Sequence, residues 1–146
     1  GDNIFLDKGM HQLAMQLLIK CADTSNVLKP FPVARKWAMR VTDEFFNQGD
    51  LERAKGLAVT NTCDRRLQTR VGLQKTFIDY VVGPFFASLT TMYPHLCECM
   101  KQMAANREMW EEWDDVRLEQ EERCYRDVDA ADLHEEATSG WESGWG

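Results

Sequence analysis

Apolar side chains in this chain return every three or four residues and nowhere alternate convincingly every two. That pattern restricts the fold more than any other feature, because a helix repeats near 3.6 residues per turn whereas a half-buried strand needs a period of two. Met10, Leu13, Ala14, Leu17, Leu18 and Cys21 form the first stripe and predict a helix over residues 3–22. Ser25, Asn26, Pro30 and Pro32 predict a loop from Thr24 to Pro32. Pro32 suits the first turn of a second helix, which places Val33, Trp37, Val41 and Phe45 at four-residue intervals and is expected to break at Gly49-Asp50. Further helical pieces are expected at Leu51 to Val59, Gln68 to Val82 (stopped by Gly83-Pro84), Phe85 to Met92 and His95 to Ala105, with a polar link from Thr60 to Arg66. The expected fold is an all-α bundle without a sheet.

A length of 146 residues with 44% hydrophobic and 28% charged side chains supports one modest globular core. Lys+Arg 17 against Asp+Glu 24, a formal charge of −7, disfavours nucleic acid or anionic lipid as a partner. No apolar run approaches the ~18 residues that cross a bilayer, and the opening residues do not form a secretory signal, so an intracellular, cytoplasmic protein is expected. Five cysteines, an odd number without a Cys-x-x-Cys pair, argue for reduced thiols rather than a disulfide framework or thiolate zinc site. The chain does not start with Met, so residue 1 is not expected to be a natural start.

Composition divides the chain into 1–113 and 114–146. Glu111 to Glu122 hold seven acidic residues and one arginine. A helix is still expected there, on a weak stripe of Met109, Trp113, Val116, Cys124, Val128 and Ala131 interrupted by Gln120, before a Gly- and Ser-rich tail that repeats Ser-Gly-Trp.

Few residues have the chemistry of a site. Asp23 follows an apolar helix at its carboxyl end, where the helix dipole disfavours an anion: buried it needs a cation, solvated it needs nothing. Gln74, Phe77 and Val81 share one helical face, and an amide beside an aromatic ring can grip the edge and face of a purine. The same spacing also fits a core stripe beside a wet glutamine. His11, His95 and His134 form no His-x-x-x-His pair, Ser25 has no evident base, no glycine-rich phosphate loop occurs, and the acidic run lacks the calcium-loop pattern.

Taken together, Lys20-Cys-Ala-Asp-Thr-Ser-Asn26, then Trp37 ahead of Val41-Thr-Asp-Glu-Phe-Phe-Asn-Gln-Gly-Asp50, then Gln74-Lys-Thr-Phe-Ile-Asp-Tyr80 with Pro84-Phe-Phe form an ordered series. Across residues 4–113 the chain resembles the C-terminal part of the catalytic domain of class I 3′,5′-cyclic-nucleotide phosphodiesterases. Ser25-Asn-Val-Leu-Lys-Pro-Phe with Trp37-Ala-Met is similar to protozoan, kinetoplastid-type members. The resemblance implies an all-helical fold and part of a metal-dependent hydrolase that converts cyclic AMP and/or cyclic GMP to the 5′-monophosphate with Zn2+ and Mg2+ (or Mn2+). It implies that Asp23 is a metal ligand, Gln74 the purine-binding amide, Phe77 and Val41 the two sides of a clamp around the base, and Asn26 a polar position near it. Phe45, one turn beyond Val41, is expected to line the same pocket. The family's other ligands, two histidines and an aspartate, and its acid histidine belong to motifs upstream of the first helix. This chain holds none of them, so it is expected to be inactive alone and to need the missing N-terminal part of the catalytic domain. Trp37, Phe45 and Phe46 are then expected to be exposed apolar liabilities. A non-catalytic helical interaction or nucleotide-binding module on the same scaffold, with a partner for the acidic tail, is the competing expectation.

Overall fold

Proline fixes φ near the helical value and lacks the N–H that a first helical turn leaves unpaired anyway. Pro32 accordingly sits in the first turn of the longest helix in the computed structural model, which describes residues 8–124. The predicted residues 3–7, together with Val128, Ala131, His134 and the Ser-Gly-Trp repeat, lie outside that span. All regular elements among the described residues are helical. They are α1 (Lys8–Asp23), a 3-10 turn (Ser25–Leu28), α2 (Phe31–Ala54), a 3-10 turn (Asn61–Cys63), α3 (Arg70–Phe77), a π turn (Ile78–Val82), α4 (Gly83–Met92), a 3-10 turn (Pro94–Leu96) and α5 (Cys97–Met109). Helical backbone follows over 115–124.

α2 does not break at Gly49-Asp50, and the reason is packing. Gly49 is buried against the backbone of Cys63, where a Cβ would lie 2.1 Å from the carbonyl oxygen. The glycine permits a close approach; it does not end the helix. The end comes at Ala54, where Gly56 takes φ +69° and its N–H bonds the Arg53 carbonyl, while the Leu57 N–H bonds that of Glu52. This paired closure is the Schellman exit, so Leu51 to Ala54 form the last turn of α2 and no separate helix follows to Val59.

Gly83-Pro84 does not stop the chain either. The Gly83 N–H reaches the Ile78 carbonyl five residues back, and the wider π turn carries the chain past Pro84, which has no N–H to give, into α4.

The core runs through α2, α3, α4, α5 and the 115–124 segment, with Val27, Ala38, Val82, Phe86, Trp110 and Leu118 among its members. α2 buries Ala34, Ala38, Thr42 and Phe46 on one face. Phe46 is therefore covered rather than exposed, lying under the Arg65 and Arg70 guanidinium groups at 5.3 and 5.1 Å. Phe45 is half-buried, whereas Trp37 is exposed, as are Leu13, Leu18 and Ile19 on α1.

The acidic stretch beyond α5 packs against this body. Its wet face is the one through Val116; Leu118, outside the expected stripe, is the fully buried residue. Arg35 and Arg117 both approach the Trp113 ring, their guanidinium carbons 4.9 and 4.3 Å from its centroid. No helix of the described residues is long and apolar enough to cross a membrane.

An ion network closes the other side. Lys75 on α3 meets Glu111 at 2.8 Å, and Arg107 on α5 holds both Glu111 and Asp79. Lys75 and then Arg107, by hydrogen bonding, pull the Glu111 carboxyl down from 4.5 to about 2. Because the folded value is the lower one, the stabilisation is complete above 4.5 and is lost as the pH falls toward 2. Urea midpoints measured across that window are expected to fall with acid, and Glu111→Gln should flatten the decline. An unchanged slope in the variant would remove Glu111 as its source.

Candidate functional site

The last turn of α1 leaves carbonyls without helical partners. Thr24 Oγ1 donates to the Lys20 carbonyl at 2.8 Å and Ser25 Oγ to that of Ala22 at 2.7 Å, so these hydroxyls close the helix around Asp23. Asp23 itself is exposed. The following 3-10 turn is held from α5 by Asn106, which is 1% exposed and whose Nδ2 donates to the carbonyls of Val27 and Lys29, both at 2.7 Å. Asn26 is thus carried on a turn anchored by a buried amide.

α2 supplies the second wall. Val33, Trp37, Val41 and Phe45 line a cleft of about 730 Å3, one residue out of step with the buried stripe on the same helix. The sequence-level stripe was therefore a real helical face, but it faces the cleft and not the core. Small side chains at Ala34 and Ala38 serve the core on the adjoining face.

α3 supplies the third wall. Gln74 is 4% exposed, and its carboxamide makes no hydrogen bond to any other described residue. Phe77 closes α3, half-buried and packed on the core, and Val81 follows in the π turn. Gln74, Phe77 and Val81 all line the cleft that Asp23, Asn26, Val41 and Phe45 line. A carboxylate and a carboxamide separated by about a third of the chain thus open onto one cavity, with aromatic and aliphatic walls between them. Such an arrangement suits a flat heterocycle carrying polar edges.

Metal binding is a separate question. No three His, Cys, Asp or Glu side chains gather among the described residues in a way that would hold a metal ion. Asp23 alone does not fit the metal pair that the resemblance implies, since catalytic sites of this kind use several protein ligands.

The family profile described as 3′5′-cyclic nucleotide phosphodiesterase matches residues 3–103. The chain belongs to that family. Among cyclic-nucleotide phosphodiesterase relatives, the 3′,5′-cyclic-nucleotide phosphodiesterase regA of Dictyostelium discoideum is 34% identical over 116 residues, covering 80% of this chain and 14% of its own length. The probable 3′,5′-cyclic-AMP phosphodiesterase pde-4 of Caenorhabditis elegans is 34% identical over 137 residues, 92% of this chain and 20% of its own. The Leishmania structure of LmjPDEB1 in complex with IBMX superposes with a TM-score of 0.67 at 39% identity, covering 73% of this chain and 32% of that one. The chain therefore spans a third or less of the length of these phosphodiesterase relatives, and its all-α architecture matches that of the Leishmania structure.

Sequence reasoning missed two buried polar side chains: Asn106, which anchors the turn carrying Asn26 to α5, and Arg70, which joins the α3 wall to the α2 wall. Their partners lie up to 79 residues away, so no local period announces them. Trp37 is exposed as expected and also lines the cleft, and its four-residue spacing from Val33 and Val41 carries that signal.

Proposed function

We propose that this chain is the base-recognising part of a metal-dependent 3′,5′-cyclic-nucleotide phosphodiesterase, acting on cyclic AMP and/or cyclic GMP. Membership of the family supports the reaction class. The observation that carries the reading for these residues is that Asp23 and Gln74 line one cleft together with Phe77 and Val41. In this reading the Gln74 amide donates to and accepts from the purine edge, and Phe77 and Val41 close on the two ring faces. Asn26 offers a further polar contact, and Phe45 excludes water from the inner wall. Asp23 contributes one carboxylate to a metal site, assigned to zinc beside magnesium or manganese, whose other ligands come from the upstream part of the catalytic domain. When bound, the metals supply an activated water for phosphodiester hydrolysis. Residues 1–113 then form the partial catalytic domain and 114–146 an appended acidic segment, in a cytoplasmic protein.

The test uses the complete catalytic domain. Gln74→Ala is expected to raise KM for the cyclic nucleotide by about 10–100-fold, as loss of a buried bidentate contact does. Asp23→Ala is expected to lower metal content per molecule. Unchanged KM in the first variant and full metal content in the second would refute the assignment.

A second reading is favoured by the lack of a three-ligand metal group among the described residues. In it the cleft binds a nucleotide without hydrolysis and the chain acts as a regulatory or interaction module. Calorimetry with cyclic nucleotide separates the two when read beside turnover: binding without product supports the regulator.

A further inference from the structure

α3 is eight residues long, with Gln74 in its middle and Phe77 at its end. Its far end runs on through the π turn into α4, so the end that needs partners from outside is the first turn. Its first turn has N–H groups without helical acceptors, and each of three finds one elsewhere. The Asp115 carboxylate takes two: Oδ2 accepts from the Arg70 N–H at 2.8 Å and Oδ1 from that of Val71 at 3.0 Å. Thr69 Oγ1 accepts from Gly72 at 3.0 Å. A carboxylate at this helix end is favoured by the dipole as well as by the two hydrogen bonds.

The Arg70 side chain joins the segment that carries Asp115, its Nε 3.8 Å from the Glu119 carboxylate, to α2. Its Nη1 donates to Thr42 Oγ1 at 2.6 Å and to the Met39 carbonyl at 3.4 Å, and its Nη2 meets Asp43 at 2.7 Å. Thr42 is the neighbour of Val41. Arg70 thereby couples the α2 wall to the α3 wall, and Asp115 fixes the backbone from which Arg70 projects. Trp113 and Leu118, both buried, keep Asp115 where it is.

Asp115 lies twelve residues beyond the stretch matched by the family profile, in the acidic segment. We propose that it is a positioning residue for the cleft: by capping α3 it sets the Gln74 amide and the gap between Val41 and Phe77, and so the affinity for the base. The inference rests on the purine reading above.

In the complete catalytic domain, Asp115→Asn keeps the shape but turns an N–H2 toward one of the two N–H groups. KM for the cyclic nucleotide is expected to rise about tenfold with kcat held within about twofold, the pattern of lost ground-state binding. Leu89→Ala, a core change on α4, is the control for mere destabilisation and should lower Tm without moving KM. Equal KM in Asp115→Asn and the parent would overturn the proposal. If the parent shows neither turnover nor nucleotide binding by calorimetry, the purine reading fails, and amide exchange on this chain decides the positioning claim separately. Faster exchange confined to Arg70–Phe77 in Asp115→Asn upholds it; unchanged exchange there overturns it.

Discussion

Replacing Trp110 by alanine is expected to cost about 4 kcal/mol, the range for emptying a buried aromatic site. Trp110 is 1% exposed and meets Phe31 edge-on at a centroid distance of 4.9 Å, so its loss leaves a void where the first turn of α2 meets the end of α5. Domains of this size have about 5–15 kcal/mol in total, so the loss removes a large share of the margin. Trp37→Ala provides the comparison: that ring is half exposed on the cleft wall and its removal should cost about 1 kcal/mol or less. Urea unfolding followed by circular dichroism would read both, and a Trp110 variant no weaker than the Trp37 variant would show that the buried cluster is wrongly drawn.

Gly49→Ala has the second large expected effect, and its sign is diagnostic. In a helix interior this exchange ordinarily stabilises by about 0.5–1 kcal/mol. Here the new methyl would meet the Cys63 carbonyl oxygen at 2.1 Å, and backbone cannot step aside as a flexible side chain does. The expected outcome is a loss of about 3 kcal/mol, with the Asn61–Cys63 turn displaced from α2. Thr62 of that turn lines the cleft, so nucleotide affinity should weaken with it. Asn47→Ala, exposed on the same helix, should be neutral or slightly stabilising. A stability gain in both variants would contradict the close approach.

Helical periodicity revealed α2 because its two four-residue stripes, Val33-Trp37-Val41-Phe45 and Ala34-Ala38-Thr42-Phe46, are both real faces. Which of them met the core was not legible, since period alone does not tell an apolar cleft from an interior. Gly49 and Gly83-Pro84 misled for a related reason: local rules treat glycine and proline as breaks, while here one fits under the backbone of the Asn61–Cys63 turn and the other is absorbed by a wider turn. Asp23, Asn26, Val41, Phe45, Gln74 and Phe77 were named from spacing and resemblance, and they do line one cavity. Asn106, Arg70 and Asp115 escaped because a polar residue that caps a distant helix or turn looks, in sequence, like any solvated one.

The π turn at Ile78–Val82 carries one residue more than a regular helix requires. Deleting a single amino acid there would let the backbone close into ordinary helix with the register on either side kept, because a wider turn is how a helix absorbs one extra residue. The burden would fall on Pro84, which would then stand inside a regular helix, where its ring meets the carbonyl four residues back and no N–H is available to answer it. The extra residue is thus what lets a proline sit within a helical run that continues from Arg70 to Met92.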